Sequence, residues 1–293
     1  MPQGESAIWA CVEPARSPQG RPAVRWLACE DWRDAGATLR RLRGSRALHR
    51  RRTVALLPRG HYTLRQIDAP DTPRTEWAQA ARWLLKDGLD FAVDAAAIDV
   101  LQIPPAASHR RPQLLAVAAA HERLRPLVQT AIDAGAPWRA LDITETALRN
   151  LGALVEPAGR AQALLHFERA HGTLVITAGG ELLAVRELDI GLDALSAADP
   201  ALREPAQDRA VLELQRTLDG FERQFSQVVM ARLLVSPGAA LEPFIARARE
   251  QVFVPVSAFD AAAALDLSAL SNVDAELLAR ALPAIGAALR VDD

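Results

Sequence analysis

Ala163-Leu164-Leu165-His166-Phe167-Glu168, Thr173-Leu174-Val175-Ile176-Thr177 and Leu182-Leu183-Ala184-Val185-Arg186-Glu187-Leu188 follow one another closely in the second half of the chain. Each is an apolar run too short for a helix and bounded by polar or glycine residues, the pattern of a buried strand. Gly179-Gly180, between the second and third runs, supplies the two positive-φ residues that a tight hairpin turn needs. The three runs thus read as a meander. The first half opens in a similar way: Ala7–Val12 and Ala23–Ala28 are short apolar runs joined through Pro14, Pro18, Gly20 and Pro22, a hairpin with a loose connection. After each opening, helix and strand patterns alternate. That duplication favours a mixed α/β chain of two related lobes over one all-parallel sheet.

Working outward in the first half, Asp31 and Asp34 are N-cap candidates for a helix running to about Arg43, and Thr53–Leu57 is a compact strand closed by Pro58-Arg59-Gly60. A self-contained block follows. In Tyr62–Ile67, Tyr62, Leu64 and Gln66 face one side and Thr63, Arg65 and Ile67 the other. Thr75–Lys86 carries Trp77, Ala80, Ala81, Leu84 and Leu85 at helical spacing, and Ala97–Ile103 is a strand stopped by Pro104-Pro105. This strand–helix–strand block, about residues 60–107, reads as an insertion into a larger sheet. Gln113–Ala119, His121–Ala134, Trp138–Ile143 and Thr144–Leu151 then read as strand, helix, strand, helix. The Gly-, Ala- and Pro-rich stretch Gly152–Gly159 divides the chain into a first lobe, 1–152, and a second, 153–293. In the second lobe a long helix is expected over Pro205–Ala231. Strand Leu233–Val235, helix Ala240–Glu250, strand Val252–Val256 and helix Asp274–Leu289 complete it.

With 293 residues, half of them hydrophobic, the chain has ample material for a buried core, and its composition excludes general disorder. Only 2 Cys and 16 Gly exclude disulfide-scaffold and collagen-like classes. The formal charge of -2 gives no global attraction to nucleic acid. Lys86 is the sole lysine, and neither a glycine-rich loop before it nor a Ser or Thr after it makes a nucleotide loop of the Walker type. Met1–Ala10 lacks the basic start and apolar stretch of a signal peptide, and no run approaches membrane-spanning length, so a soluble cytoplasmic chain is expected.

Arg40, Arg41, Arg43, Arg46, Arg50, Arg51 and Arg52 crowd one short segment. Such a run is ordinarily a solvated helix end and turn. As a binding feature it suits phospholipid headgroups better than RNA, because no aromatic residue interleaves it for base stacking. His166 and Glu168 share a strand face with His171 opposite, which makes a poor metal set. Asp142, Glu145, Glu181, Glu187 and Asp189 lie near strand ends, but nothing pairs any two of them as acid and base.

Three stretches, taken in order and spacing, resemble one family. They are Leu57-Pro58-Arg59-Gly60-His61-Tyr62-Thr63-Leu64 with Ala80-Ala81-Arg82-Trp83-Leu84-Leu85-Lys86-Asp87, then Leu141-Asp142-Ile143-Thr144-Glu145-Thr146-Ala147-Leu148-Arg149-Asn150-Leu151, then Leu212-Glu213-Leu214-Gln215-Arg216-Thr217-Leu218-Asp219-Gly220-Phe221-Glu222-Arg223-Gln224. The chain is similar to the MshI family of mannose-sensitive haemagglutinin (MSHA) pilus biogenesis proteins, relatives of the type IV pilus protein PilM. The resemblance implies a two-lobed actin-like ATPase fold with a small subdomain inserted in the first lobe.

Actin-like ATPases hold nucleotide with two Asp-x-Gly turns, whose backbone N–H groups meet the phosphates, and a Gly-rich adenosine loop. At the first turn this chain has Cys11-Val12-Glu13-Pro14-Ala15; at the second it has His166-Phe167-Glu168. Only the adenosine loop persists in part, as Ser236-Pro237-Gly238-Ala239, with Ser236, Gly238 and Ala239 the residual candidates for nucleotide contact. The expectation is therefore a non-catalytic pseudo-ATPase with no cofactor, bound at most at a vestigial ATP site. The resemblance further implies a scaffold peripheral to the cytoplasmic face of the inner membrane, docking the N-terminal tail of a PilN-like bitopic protein and no nucleic acid. The docking groove would lie between the first lobe and its insertion, lined by Tyr62, Leu64, Ile67, Trp83, Ile98 and Val100. The competing readings are an active ATPase, which would need intact phosphate turns, and the equivalent cytoplasmic domain of a type II secretion platform, which shares the fold.

Overall fold

The computed structural model describes residues 2–3, 5–17, 20–105, 112–271 and 274–291. They form two compact units that do not follow chain order. Residues 2–3, 5–7, 29–105 and 112–143 make the first; residues 8–17, 20–28, 144–271 and 274–291 make the second.

The second unit is built on a five-stranded sheet. Strands β9 (Ala161–Phe167), β10 (Gly172–Ala178) and β11 (Glu181–Leu188) are the expected antiparallel meander, with Gly179 and Gly180 both at positive φ in the turn. Strand β12 (Met230–Val235) adds to β9 in parallel, and β13 (Val256–Ala258) adds to β12, giving the order β11-β10-β9-β12-β13. Every residue of β9 is buried, because both faces of this sheet are covered. Helix α4 (Thr144–Ala153) packs on β10, and helix α9 (Ala275–Ala288) packs on α4. The approach of α9 is close enough that a Cβ on Gly286 would run into the carbonyl oxygen of Ala147. Asn150 Nδ2 donates to Gly286 O at 2.9 Å across the same contact.

Also in this unit are α5 (Leu192–Leu195), α6 (Pro200–Gln224), α7 (Glu242–Gln251) and α8 (Ala261–Ala264). Helix α6 begins earlier and ends earlier than expected. Asp199 caps it by accepting from Ala201 N at 2.9 Å, and Pro200 occupies its first turn, where a missing N–H costs nothing. Pro205 lies inside the helix rather than opening it.

Most of the opening hairpin, β2 (Ser6–Glu13) and β3 (Ala23–Asp31), also belongs to the second unit. Val24 N donates to Asp266 O at 2.9 Å and Asp266 N to Pro22 O at 2.8 Å, which ties residues 8–28 to the C-terminal part of the chain. By compactness, therefore, residues 8–28 and 144–152 group with 153–293, whereas the sequence placed them in the first lobe. A two-residue strand, β1 (Pro2–Gln3), pairs with the start of β2.

The first unit contains α1 (Ala35–Ser45), β4 (Val54–Leu56), β5 (Thr63–Asp68), α2 (Trp77–Leu85), β6 (Ala96–Ile103), β7 (Gln113–Ala120), α3 (His121–Asp133) and β8 (Ala140–Asp142). Asp34 caps α1 as expected, accepting from Ala37 N at 2.8 Å. Strands β4 and β8 pair in parallel. The other sheet has the order β5-β7-β6, with β7 antiparallel to both neighbours. The strand–helix–strand block does form, but its two strands do not pair with each other. β7, which lies beyond residue 107, runs between them, so the subdomain's sheet extends to Ala120.

Candidate functional site

Strand parity sorts the six residues read as a partner groove. Leu64 pairs with Val117, and Ile67 with Leu114. On one face of the sheet, Tyr62, Leu64 and Val117 pack against buried Leu57, Ala119 and Ile143, together with Leu124 and Leu127 of α3. On the other face, Ile67, Ile98 and Val100 pack with Leu85 of α2 and with Ala116 and Ala118 of β7. The six residues therefore do not line one groove. Tyr62 and Leu64 help hold the sheet to the rest of the first unit, whereas Ile67, Ile98 and Val100 lie under α2. Trp83 stands apart from both groups, projecting from α2 with 77% of its surface exposed.

The outer edges of the sheet differ in chemistry. Strand β5 carries exposed Arg65, Gln66 and Asp68, polar residues of the kind that discourage strand addition. β6 is mainly apolar and half-buried, with Asp99 as its one exposed residue. Val100 N donates to Asp99 Oδ1 at 2.8 Å rather than to β7, so this N–H points away from the sheet. Strand periodicity turns the backbone groups of Ile98 and Gln102 the same way. Among the described residues no strand pairs with this edge. It is a row of backbone groups that no strand pairs with, next to α2, the helix that carries Trp83, and its Val100 donor is held by the exposed Asp99 carboxylate, which a docking peptide would have to displace.

The phosphate-turn positions lie in the second unit. At the second of them, the strand does not end where a turn would begin: His166 pairs with Thr173 and Phe167 with Gly172. The backbone donors there are spent inside the protein. Phe167 N donates to Ser236 Oγ at 3.3 Å, and Glu168 N to His171 O at 2.9 Å. His166 is 3% exposed, its Nδ1 has no hydrogen-bond partner, and burial pushes its imidazole pKa down to about 4. At the first position, Glu13 forms an ion pair with Arg25 and raises that guanidinium's pKa. Both line a polar cleft of about 290 Å³ with Arg16, Arg21 and Asp266. The Asp266 carboxyl is held below its ordinary range, chiefly by hydrogen bonds from Ser268. At the second turn the Phe167 and Glu168 N–H groups are engaged within the protein, and the Glu13–Arg25 ion pair occupies the first. The Phe167 and Glu168 donors are thus not free to meet the phosphates of a nucleotide.

The remnant of the adenosine loop follows β12. Ser236 is buried, donates its N–H to Leu165 O at 2.7 Å and accepts from Phe167 with its hydroxyl, so it prolongs the pairing of β12 with β9. Gly238 has φ 156° and accepts from Leu241 N at 2.9 Å, and Ala239 starts the 3-10 turn leading into α7. All three residues have structural roles that sequence spacing alone does not separate from ligand contact. Of the acids near strand ends, Asp142 is buried in the first unit, accepting from Ile143 N at 2.9 Å. Glu145 is buried in the first turn of α4, and Glu181, Glu187 and Asp189 are exposed. Among the described residues no three His, Cys, Asp or Glu side chains gather as metal ligands, and no helix is long and apolar enough to cross a membrane.

No family model matches the chain, and no curated protein matches it significantly. Solved structures do. A PilM–PilN type IV pilus biogenesis complex superposes at TM-score 0.71, covering 97% of this chain and 94% of that chain at 21% identity. The cytoplasmic domain of EpsL, an inner-membrane component of the type II secretion system of Vibrio cholerae, matches at TM-score 0.44 and 12% identity, covering 94% of each chain. A Bacteroides thetaiotaomicron protein described as having an actin-like ATPase fold matches at TM-score 0.47 and 9% identity, covering 93% of this chain and 95% of that chain. The chain thus shares the fold of the chain in the PilM–PilN complex, a fold of mixed α/β sheets.

Proposed function

We propose that this chain is a non-catalytic scaffold of pilus biogenesis of the MSHA type, working at the cytoplasmic face of the inner membrane. Its partner is the N-terminal tail of a PilN-like bitopic inner-membrane protein. The observation that carries the proposal is the near full-length correspondence with the chain of a PilM–PilN pilus complex. The spent backbone donors at His166-Phe167-Glu168 and the Glu13–Arg25 pair support a role without ATP turnover. The open edge of β6 supports docking of an extended peptide, which would gain main-chain hydrogen bonds from Ile98, Val100 and Gln102 and apolar contacts on alternate side chains.

Capture of the tail by the intact chain, compared with Val100→Pro, tests the docking. Proline at an outward-facing edge position removes a donor to the ligand while leaving the ladder to β7 intact, so the variant is expected to fold and to lose the tail. Equal capture by both would place the tail elsewhere, and no capture by either would remove the scaffold assignment. Deleting residues 60–107 is a poorer test, because it would strip β7 of both its neighbours. Calorimetry with Mg-ATP tests the other half of the proposal. Micromolar binding accompanied by phosphate release at a catalytic rate would overturn it.

A further inference from the structure

From Ala35 to Ile67 the chain contains no acidic residue and nine arginines, in a protein whose formal charge is only -2. Seven of these lie between Arg40 and Arg52, and all seven are exposed. The fold gathers them. Helix α1 buries Thr38, Leu39 and Leu42, which turns Arg40 and Arg41 outward, with Gly44 between them in open space. Ala47, in the left-handed region at φ 52°, then reverses the chain. The returning turn is pinned to the end of the helix by His49 Nδ1 on Arg43 O at 3.3 Å and by Arg51 Nε donating to Arg46 O at 3.3 Å. Arg50, Arg51 and Arg52 therefore come back beside Arg43 and Arg46. Glu30 pairs with Arg41; among the described residues Arg40, Arg43 and Arg50 have no carboxylate partner.

Support of the helix terminus does not account for this cluster. A cation in the last turn complements the carbonyl end of a helix, but that effect fades within the turn, and Arg43 already occupies the place. Arg40 and Arg50 lie outside it, and exposed side chains of one sign on neighbouring turns repel one another unless something anionic shares them. Guanidinium groups engage phosphate oxygens with two parallel donors. Between them Leu42 and Leu48 are buried, Gly44, Ser45 and Ala47 are small enough to let a flat surface approach, His49 is tied back to Arg43 O, and no Phe, Tyr or Trp is present to stack a base.

We infer that the α1 end and the turn after it form a docking face for an anionic phospholipid bilayer, through which the chain touches lipid directly. This contact is separate from capture of a partner's tail and does not depend on it. The experiment is flotation of the purified chain alone with vesicles of phosphatidylglycerol and phosphatidylethanolamine, against vesicles of phosphatidylcholine. Binding to the first only is expected. Substituting Arg40→Gln, Arg43→Gln and Arg50→Gln together should weaken it about a hundredfold, at roughly fivefold for each charge near a lipid surface.

Circular dichroism checks that the triple variant is folded. Should it not fold, raising salt on the unaltered chain to about 0.5 M replaces it, since screening must then release the vesicles. Equal binding to neutral vesicles, binding that survives both treatments, or no binding would each overturn the assignment. So would a short single-stranded RNA that displaces the chain from vesicles at the same salt. Tail capture is read in solution without lipid, so loss of one activity does not imply loss of the other.

Discussion

The sheet β11-β10-β9-β12-β13 and the sheet β5-β7-β6 are both built from short apolar strands, yet they are used differently. In the former, β9 is buried at every residue and β10 at all but the last. Side chains of these two strands face protein on both sides, and polar Gln162 of β9 is fully buried, with Nε2 donating to Gly152 O at 2.6 Å. In the latter, only β7 is largely buried, while β5 and β6 are half-exposed edges. The covered sheet leaves only β11 and the three-residue β13 unpaired on one side, around central strands that are enclosed, whereas in the three-stranded sheet two strands of three are edges. The difference separates the part of the molecule that sets stability from the part available for docking.

Truncation should expose the contrast most strongly in the covered sheet. Leu165 is fully buried at the centre of β9 and shares the ladder with both β10 and β12. Leu165→Ala is expected to cost about 4 kcal/mol, a transfer loss plus an unrelaxed cavity. Urea unfolding monitored by circular dichroism measures it, and a loss below about 1 kcal/mol would mean that this sheet is less tightly packed than the burial implies.

A pH scan sharpens the same point. His166 lies in the covered sheet with its pKa lowered to about 4 from an ordinary 6.5. The unfolded chain takes up a proton as pH falls through about 6.5, while the folded chain does so only near 4. Stability therefore falls with pH across that window, by up to about 3 kcal/mol. His166→Leu should flatten this part of the profile. An unchanged slope in the variant would assign the acid sensitivity to other groups.

Why the covered sheet was legible in sequence and the open one only in part follows from these environments. Strands buried on both faces are mainly apolar, so Ala163–Glu168 and Thr173–Thr177 identify themselves, while Leu182–Leu188 is marked by its apolar start and by the Gly179-Gly180 turn before it, with Arg186 and Glu187 exposed. The alternation in Tyr62–Ile67 is kept in the fold: Tyr62 and Leu64 take one face and Ile67 the other. That same alternation is incompatible with one groove holding all three. Insertion of β7 between β5 and β6 left no local trace, because a continuous apolar strand carries no mark of which neighbours it takes. The true start of α6 was marked by Asp199-Pro200, a cap followed by a first-turn proline, but Pro205 offers a similar signal five residues later. Neither the outward Val100 N–H nor the return of Arg50–Arg52 onto α1 follows from spacing, since both depend on hydrogen bonds made after folding.

In the open sheet the same kind of truncation should matter less. Ile98 is half-buried beneath α2, so Ile98→Ala is expected to cost about 1 kcal/mol, in keeping with partial burial. Thermal unfolding provides the comparison with Leu165→Ala. A cost matching that of Leu165 would show that the small sheet carries as much of the stability as the large one, and the separation of roles drawn above would fail.

The smallest effect on stability should come from Trp83. Its side chain is 77% exposed, so Trp83→Ala removes little buried surface, and the change should lie within about 0.5 kcal/mol. An exposed tryptophan on a short helix costs solubility without repaying it in packing, unless it is covered part of the time. α2 lies against β6, the strand with the open edge, so a peptide paired with Ile98, Val100 and Gln102 would run beside the helix that carries the indole. Aromatic anchors at such positions typically contribute about 2 kcal/mol or more to binding, which predicts a loss of tail capture of more than about tenfold in the variant. Fluorescence supplies an independent readout, because covering an exposed indole shifts its emission to shorter wavelength. Trp83→Phe, which retains an aromatic anchor, should recover part of the affinity. If Trp83→Ala captures the tail as well as the intact chain while Val100→Pro does not, the peptide pairs with β6 by backbone alone and the indole serves another contact. If both variants capture it fully, docking at this edge is wrong, and the open sheet loses the role that distinguishes it from the covered one.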